Sequence, residues 1–326
     1  MFALRVCAMA AALAAACGLA PPAFGEEAGL TFFGWSDPHV QTGGNAGHLL
    51  PAVDAMNALA GTEYPARIGG KVATPAFVFG CGDITEWPTV AARDAYNEIV
   101  TKRLKIPAFD LVGNHDEGGE VPNATIKNWI IARHGALSYT FDRGGVHFVA
   151  PFAPYNEALK NPAQPVAKEA LDFIRADLAK TPKGTPVVVA LHLCLDAITN
   201  RDEVAAAFGD ANVILVLGGH YHKVTVGEYR GYRFVQLPSP FSESEFTVLR
   251  MTSDRLVAIP FDFKAKKWSE EARKILDVPI KGPKAEPACG TGAGPHAPSH
   301  VTEVWHGHAI IPRLTVDGAV GSRRPA

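Results

Sequence analysis

The chain has 326 residues, with 31 Lys and Arg against 33 Asp and Glu, and a formal charge of −2. At 47% hydrophobic and 20% charged it has the composition of a soluble globular protein with enough apolar surface for a sizeable core, which excludes a collagenous or low-complexity chain and a disordered acidic tail. Its basic residues are scattered; the densest group, Lys264, Lys266 and Lys267, reads as a solvated turn, so no specific nucleic-acid binding is expected.

Residues 1–25 carry a single charge, Arg5, and an Ala-rich apolar stretch from Val6 to Ala20 ending in Pro21-Pro22. This predicts a secretory signal peptide, because about 15 apolar residues interrupted by Gly18 fall short of the roughly 20 that a membrane span needs. Ala23 and Gly25 suit cleavage before Glu26; cleavage after Ala20 is a rival, and lipidation at Cys17 a second alternative. No other segment resembles a membrane span, so a secreted or periplasmic protein is expected. Removal of the segment leaves Cys81, Cys194 and Cys289, which make no disulfide framework and no CxxC zinc ribbon.

Apolar runs rich in Val, Phe and Leu, each stopping at Gly, Asp or His, predict buried strands at Leu30 to Trp35, Ala76 to Gly80, Phe109 to Val112, Pro186 to Leu191 and Asn212 to Leu217. Between them, helices are predicted at His48 to Leu59, Thr89 to Leu104, Ala124 to His134 and Val166 to Leu178, the last with Ala170, Leu171, Ile174 and Leu178 on one face. Tyr139 and Phe141 before Arg143-Gly144-Gly145, with Val146 and Phe148 after it, form a hairpin signal. More antiparallel strands are predicted from Val224 to Tyr229, Tyr232 to Leu237, Phe246 to Met251 and Leu256 to Phe263. The two strand styles together predict an α/β domain over residues 26–270, with two mixed β-sheets packed face to face and helices flanking them. Residues 271–326 read as a Pro- and Gly-rich linker and a tail whose His300, His306 and His308 are solvated.

Five short signals stand where the buried strands end: Asp37-Pro38-His39, Gly82-Asp83, Gly113-Asn114-His115-Asp116, His192, and Gly219-His220-Tyr221-His222. Ligand sites of α/β sheets form beyond the carboxyl ends of the strands, so these side chains can converge despite their separation in sequence. Asp, Asn and His without Cys make an oxygen and imidazole donor set suited to Mn, Fe or Zn. Cys81, beside Gly82-Asp83, and Cys194 each end an apolar run and read as small buried side chains. His48, His134 and His147 read as surface or packing residues.

The ordered set Asp-x-His, Gly-Asp, Gly-Asn-His-Asp, His and Gly-His-x-His resembles the calcineurin-like metallophosphoesterase superfamily over about residues 30 to 263. The resemblance implies a four-layer αββα fold and two divalent metal ions, Mn, Fe or Zn. Asp37, His39, Asp83 and His222 would hold one ion, and Asp83, Asn114, His192 and His220 the other. A hydroxide bridging the two would attack phosphorus, with His115 as proton donor and Asp116 orienting it. The chain departs from the protein Ser/Thr phosphatases, which continue Gly-Asp into Asp-Arg-Gly, since it reads Ile84-Thr85-Glu86-Trp87 instead. It departs from purple acid phosphatases too, which place Tyr where Glu86 stands. Lacking a cationic clamp, the chain is expected to prefer a phosphodiester or small organic phosphoester over a phosphoprotein. A phosphomonoesterase and a non-catalytic metal-binding recognition protein are the alternatives. Trp87, Tyr155 and Asn156 are candidates to border the substrate, and the sequence leaves oligomeric state open.

Overall fold

The computed structural model describes residues 29–280. The expected signal peptide, Cys289 and the tail histidines lie outside the described residues. Strand β1 (Leu30–Trp35) is buried along its whole length, because it has an apolar neighbour on both faces. Phe33 and Trp35 pack toward helices, while Leu30 and Phe32 pack toward a second sheet. Parallel to β1 run β2 (Val78–Gly80) and β3 (Ala108–Asp110), reached through α1 (Leu50–Ala58) and α2 (Val90–Glu98).

The hairpin signal forms β4 (Tyr139–Arg143) and β5 (Val146–Ala150), after α3 (Thr125–His134). Helix α4 (Lys168–Leu178) then leads to β6 (Val187–Leu193), α5 (Arg201–Ala207) and β7 (Val213–Gly219). The antiparallel run follows as β8 (Thr225–Tyr229), β9 (Tyr232–Gln236), β10 (Glu245–Met251), β11 (Arg255–Asp262), β12 (Lys267–Trp268) and β13 (Leu276–Pro279). One sheet has the order β12-β11-β10-β1-β2-β3, with β13 also on β11; the other has the order β4-β5-β6-β7-β9-β8. Both are mixed.

Three apolar cores define the layers. One lies between the first sheet and α1, α2 and α3, around Val53, Tyr96 and Ile126. A second fills the space between the sheets, where Phe32, Phe77, Phe79 and Phe148 meet in stacked and edge-on pairs. A third joins the other sheet to α4 and α5 through Leu171, Ile174 and Val204. This is the expected αββα arrangement, in which each sheet has one face on its partner and one on helices.

Two expectations are corrected. The helix expected from Thr89 to Leu104 is α only to Glu98, then widens to a π-turn over Ile99–Arg103. Thr101 Oγ1 donates to the Asn97 carbonyl at 2.6 Å, the local competition that disturbs an α-helical ladder. The fold also continues past residue 270: β13 pairs antiparallel with β11, Leu256 facing Val278, and Leu276 is buried against the inter-sheet core. Lys264, Lys266 and Lys267 are exposed at the turn between β11 and β12, as the sequence predicts.

Candidate metal centre

Strands β1, β2, β3, β6 and β7 are parallel members of the two sheets, and all five sequence signals fall at their carboxyl ends or just beyond them. The backbone there is strained. Eight described non-glycine residues have positive φ, and five of them are Asp37 at 53°, His39 at 44°, Asp83 at 52°, His220 at 78° and His222 at 62°. L-residues avoid this region, so a concentration of it in one site means that the surroundings impose the conformation. They do so through backbone bonds between strand ends: Asp37 N donates to Gly82 O at 2.9 Å and His39 N to Asp83 O at 3.0 Å. Close approach is needed as well, since a Cβ on Gly113 would collide with the Asp83 carboxylate and one on Gly219 with Ser36 and Asp37.

Two groups of donor atoms result, Asp37, His39, Asp83 and His222 in one and Asp83, His192 and His220 in the other, with the atoms of each group within 4.8 Å of one another. Asp83 belongs to both. Its Oδ1 accepts from His115 N at 2.9 Å, while its Oδ2 lies 3.4 Å from His192 Nε2 and 3.8 Å from His39 Nε2. Asn114 joins the second group, with Oδ1 at 2.9 Å from His192 Nε2 and 3.1 Å from His220 Nδ1. In the first group His39 Nε2 and His222 Nε2 are 3.0 Å apart, and Asp37 Oδ1 is 3.4 Å from His222 Nε2.

The donor set fits cations. Asp37 Oδ1 is buried without a hydrogen bond, although its Oδ2 accepts from His220 N at 2.9 Å. His192 Nδ1 donates to the Cys81 carbonyl at 2.8 Å, so in the neutral ring Nε2 is a lone pair facing the Asn114 oxygen. A cation between them relieves that contact and keeps both groups as ligands. Burial pushes His39 and His220 down to about 4, which leaves both imidazoles neutral, as metal ligation requires. Burial opposes charge on Asp37 and Asp83 too, but their histidine neighbours hold both carboxyls below the ordinary range. On protons alone, burial opposes a charge on His192 while the Asp83 carboxylate lifts its pKa to about 10.

His115 lies beside the first group, its ring 4.7 Å from that of His39. Its Nδ1 donates to the Glu86 carbonyl at 2.8 Å. The expectation that Asp116 orients it is corrected here. Asp116 is fully buried, and its carboxylate accepts from Ile84 N, Thr85 N, Thr85 Oγ1 and Gly113 N, with none of these bonds reaching the imidazole. It ties the loop after β2 to the loop after β3. The backbone carbonyl of Glu86 does the orienting.

Of the other candidates, Trp87 lies tilted against His115 and Tyr155 against His220, whereas Asn156 caps a turn by accepting from Ala158 N at 3.1 Å. Arg143 lies at the far end of the sandwich, where neighbouring Gly144 packs on Leu30 at the start of β1. Among the described residues no Arg or Lys forms an ion pair with any of the seven clustered side chains. Cys81 and Cys194 are buried free thiols. Sequence reasoning missed Ser239, whose Oγ donates to Asp37 O at 2.6 Å, and His48, whose Nε2 bonds Pro38 O at 2.6 Å. It also missed Phe241, packed edge-on against His39. The turn residues Pro238-Ser239-Pro240 just after β9 were the available signal for the first of these.

No family model and no curated protein matches the sequence. Solved structures do. GAP50, the anchor in the inner membrane complex of Plasmodium, is 14% identical over 78% of this chain and 90% of its own, with a TM-score of 0.51. The phosphopantetheinyl hydrolase PptH from Mycobacterium tuberculosis is 14% identical over 80% of this chain and 99% of its own, with a TM-score of 0.40. Vps29 complexed with zinc from Entamoeba histolytica is 11% identical over 77% of this chain and 100% of its own, at 0.37. The likeness to GAP50 is one of fold, the four-layer arrangement of two mixed sheets between helices, and this fold brings together a His and Asp cluster able to hold metal.

Proposed function

We propose that this chain hydrolyses phosphoric esters at two divalent cations, one held by Asp37, His39, Asp83 and His222 and the other by Asp83, Asn114, His192 and His220. The observation that carries the proposal is the convergence of these donors with Asp83 between the two groups, 3.4 Å from His192 on one side and 3.8 Å from His39 on the other. Bound there, Mn, Fe or Zn would supply Lewis acidity toward the phosphoryl oxygens and activate water.

The chain's own residues do the rest. His115 is the proton donor: with Nδ1 committed to the Glu86 carbonyl, the transferable proton is the one on Nε2. Water gives up one proton to solvent as its oxygen becomes bonded to phosphorus, the ester P–O bond breaks, and the Nε2 proton passes to the departing oxygen. The neutral ring left behind keeps its Nδ1 proton on Glu86 and is reprotonated from solvent. Asp116 and the backbone bonds between strand ends hold the two loops in register while this happens. With no Arg or Lys paired to the cluster among the described residues, a monoester dianion would rely on the cations and His115 for neutralisation. A diester has one charge fewer, which supports a diester or small organic phosphoester over a phosphoprotein.

The test is metal analysis followed by turnover. Protein stripped by a chelator and reloaded separately with Mn, Zn or Fe should hydrolyse an aryl phosphodiester, an aryl phosphate or a cyclic nucleotide. Silence of every reloaded form toward all three would remove the hydrolase assignment and leave a metal-binding recognition protein. A phosphopeptide preferred by more than about tenfold, some 1.4 kcal/mol of transition-state binding, would overturn the substrate preference alone.

A further inference from the structure

Trp87 is a large apolar side chain left 43% exposed beside the proposed proton donor. Its ring lies 4.9 Å from the His115 imidazole at an interplanar angle of 35°. Gly119 backs it, because a Cβ there would come within 2.8 Å of an indole carbon, so the ring is shelved against the loop that follows His115. Across the cluster Phe241, 47% exposed, packs edge-on to His39 at 5.8 Å and to His48 at 5.4 Å. Exposed indole and phenyl rings forgo hydrophobic burial that a ligand ring can restore.

The charges on the same loops are negative. Glu86 precedes Trp87, and Glu117 and Glu120 follow His115. Burial and the carboxylates of Asp83, Glu117 and Glu120 raise Glu157 against the pull of His115, so it shares their field. Among the described residues Lys127 pairs with these carboxylates, 3.3 Å from Glu117, and is thereby neutralised. Lys223, exposed beside His222, acts on Asp196 on the other side of the cluster, so the carboxylates dominate next to Trp87 and disfavour further anionic groups there.

We propose that Trp87 is the specificity-determining platform of this site, and that the departing group of the substrate is a planar aromatic alcohol or nucleoside carrying no additional negative charge, stacked on the indole. This rests on the hydrolase reading in one respect, that His115 protonates the departing oxygen. The oxygen must then lie within hydrogen-bond reach of the imidazole, roughly 2.6 to 3.2 Å, which brings the group attached to it beside Trp87.

Binding of phosphonates, which cannot be hydrolysed, tests the platform apart from turnover. Titration calorimetry on the Mn-loaded protein should show phenylphosphonate binding about tenfold more tightly than methylphosphonate, the range of one aromatic stacking contact. Trp87→Ala should bring that ratio to about one, and Trp87→Phe should keep most of it. A ratio near one in the wild type, or one that survives Trp87→Ala, overturns the proposal. A merely structural Trp87 would weaken both phosphonates alike and leave the ratio unchanged, which also counts against it. Absence of ester turnover in the wild type would sink the hydrolase reading, while the affinity ratio would still decide the platform.

Discussion

Asp116→Asn separates two roles for a residue that the motif places beside the proton donor. In the structure Asp116 Oδ1 accepts from Thr85 N at 2.9 Å and Thr85 Oγ1 at 3.0 Å, and Oδ2 accepts from Ile84 N and Gly113 N at 3.0 Å each. All four partners donate, so only the ionised carboxylate satisfies them, even though burial and the Asp83 carboxylate push its pKa up to about 7. An amide retains one acceptor oxygen and turns N–H groups toward the other two donors. Two hydrogen bonds to a charged acceptor are lost at ~1.5–3 kcal/mol each, so roughly 3–6 kcal/mol of stability should go. Against a typical domain stability of about 5–15 kcal/mol that is severe. At about 2–4 °C per kcal/mol for a domain of this size, Tm should fall by roughly 6–24 °C. Thermal and urea unfolding in chelator keeps metal loss from contributing to the difference. A Tm within about 2 °C of wild type, together with a fall in kcat of about a hundredfold or more, would show that Asp116 serves His115 and not the loops.

His115→Asn should lower kcat by roughly 10²- to 10⁴-fold while bound metal, measured by elemental analysis, stays at the wild-type ratio. Asp83→Asn removes a charge from the carboxylate that stands between both donor groups, so the same analysis should show depletion of both ions and not of one. His147 bonds Asp142 through Nδ1 and Asp177 through Nε2, each at 2.7 Å, joining the β4–β5 hairpin to α4. Burial opposes its charge, but the two carboxylates outweigh that and raise its pKa. A raised folded pKa means stability that is complete below the ordinary value of about 6.5 and is lost as pH rises through the folded value. Tm measured against pH should therefore decline above neutrality in the wild type and flatten in His147→Gln; equal slopes would refute the link. Protein recovered from outside the cytoplasm should begin near Glu26, and an intact Met1 on the active exported form would count against a signal peptide.

The parallel strands were legible because each is a short apolar run that ends on Gly, Asp or His, and burial on both faces leaves few other residues possible, as in Leu30–Trp35 and Val213–Gly219. Leu276–Pro279 was not legible. Four residues with one buried side chain, Leu276, have no period to detect, and their place on β11 depends on an edge that local sequence does not describe. Helix α5 was missed for a related reason: Arg201–Ala207 is seven residues with only Val204 and Ala207 buried, too short a stripe to stand out. His147 was read as bland because neither Asp142 nor Asp177 is conspicuous alone; their convergence is tertiary.

At the site, residue type and strand-end position carry most of the information, since a carboxylate, an amide and imidazoles at the ends of parallel strands have one place to go. What residue type cannot convey is which groups do the holding. The motif set puts Asp116 next to His115 in sequence, yet the short turn His115–Glu117 sends the carboxylate inward to the β2 loop, and a backbone carbonyl, invisible to any motif, takes the imidazole. The same limit applies to conformation. Asp37, His39, Asp83, His220 and His222 all take the left-handed backbone that their side chains disfavour, and nothing in Asp-Pro-His or His-Tyr-His announces it. The strain is borne by groups that carry no chemistry: Ser36 Oγ on the Cys81 carbonyl at 3.0 Å, Ser239 Oγ on the Asp37 carbonyl at 2.6 Å, and the glycines that let one strand end approach another. Those supports fix the donors before any ion arrives, and a preorganised cage of buried lone pairs gains more from a cation than a flexible one would.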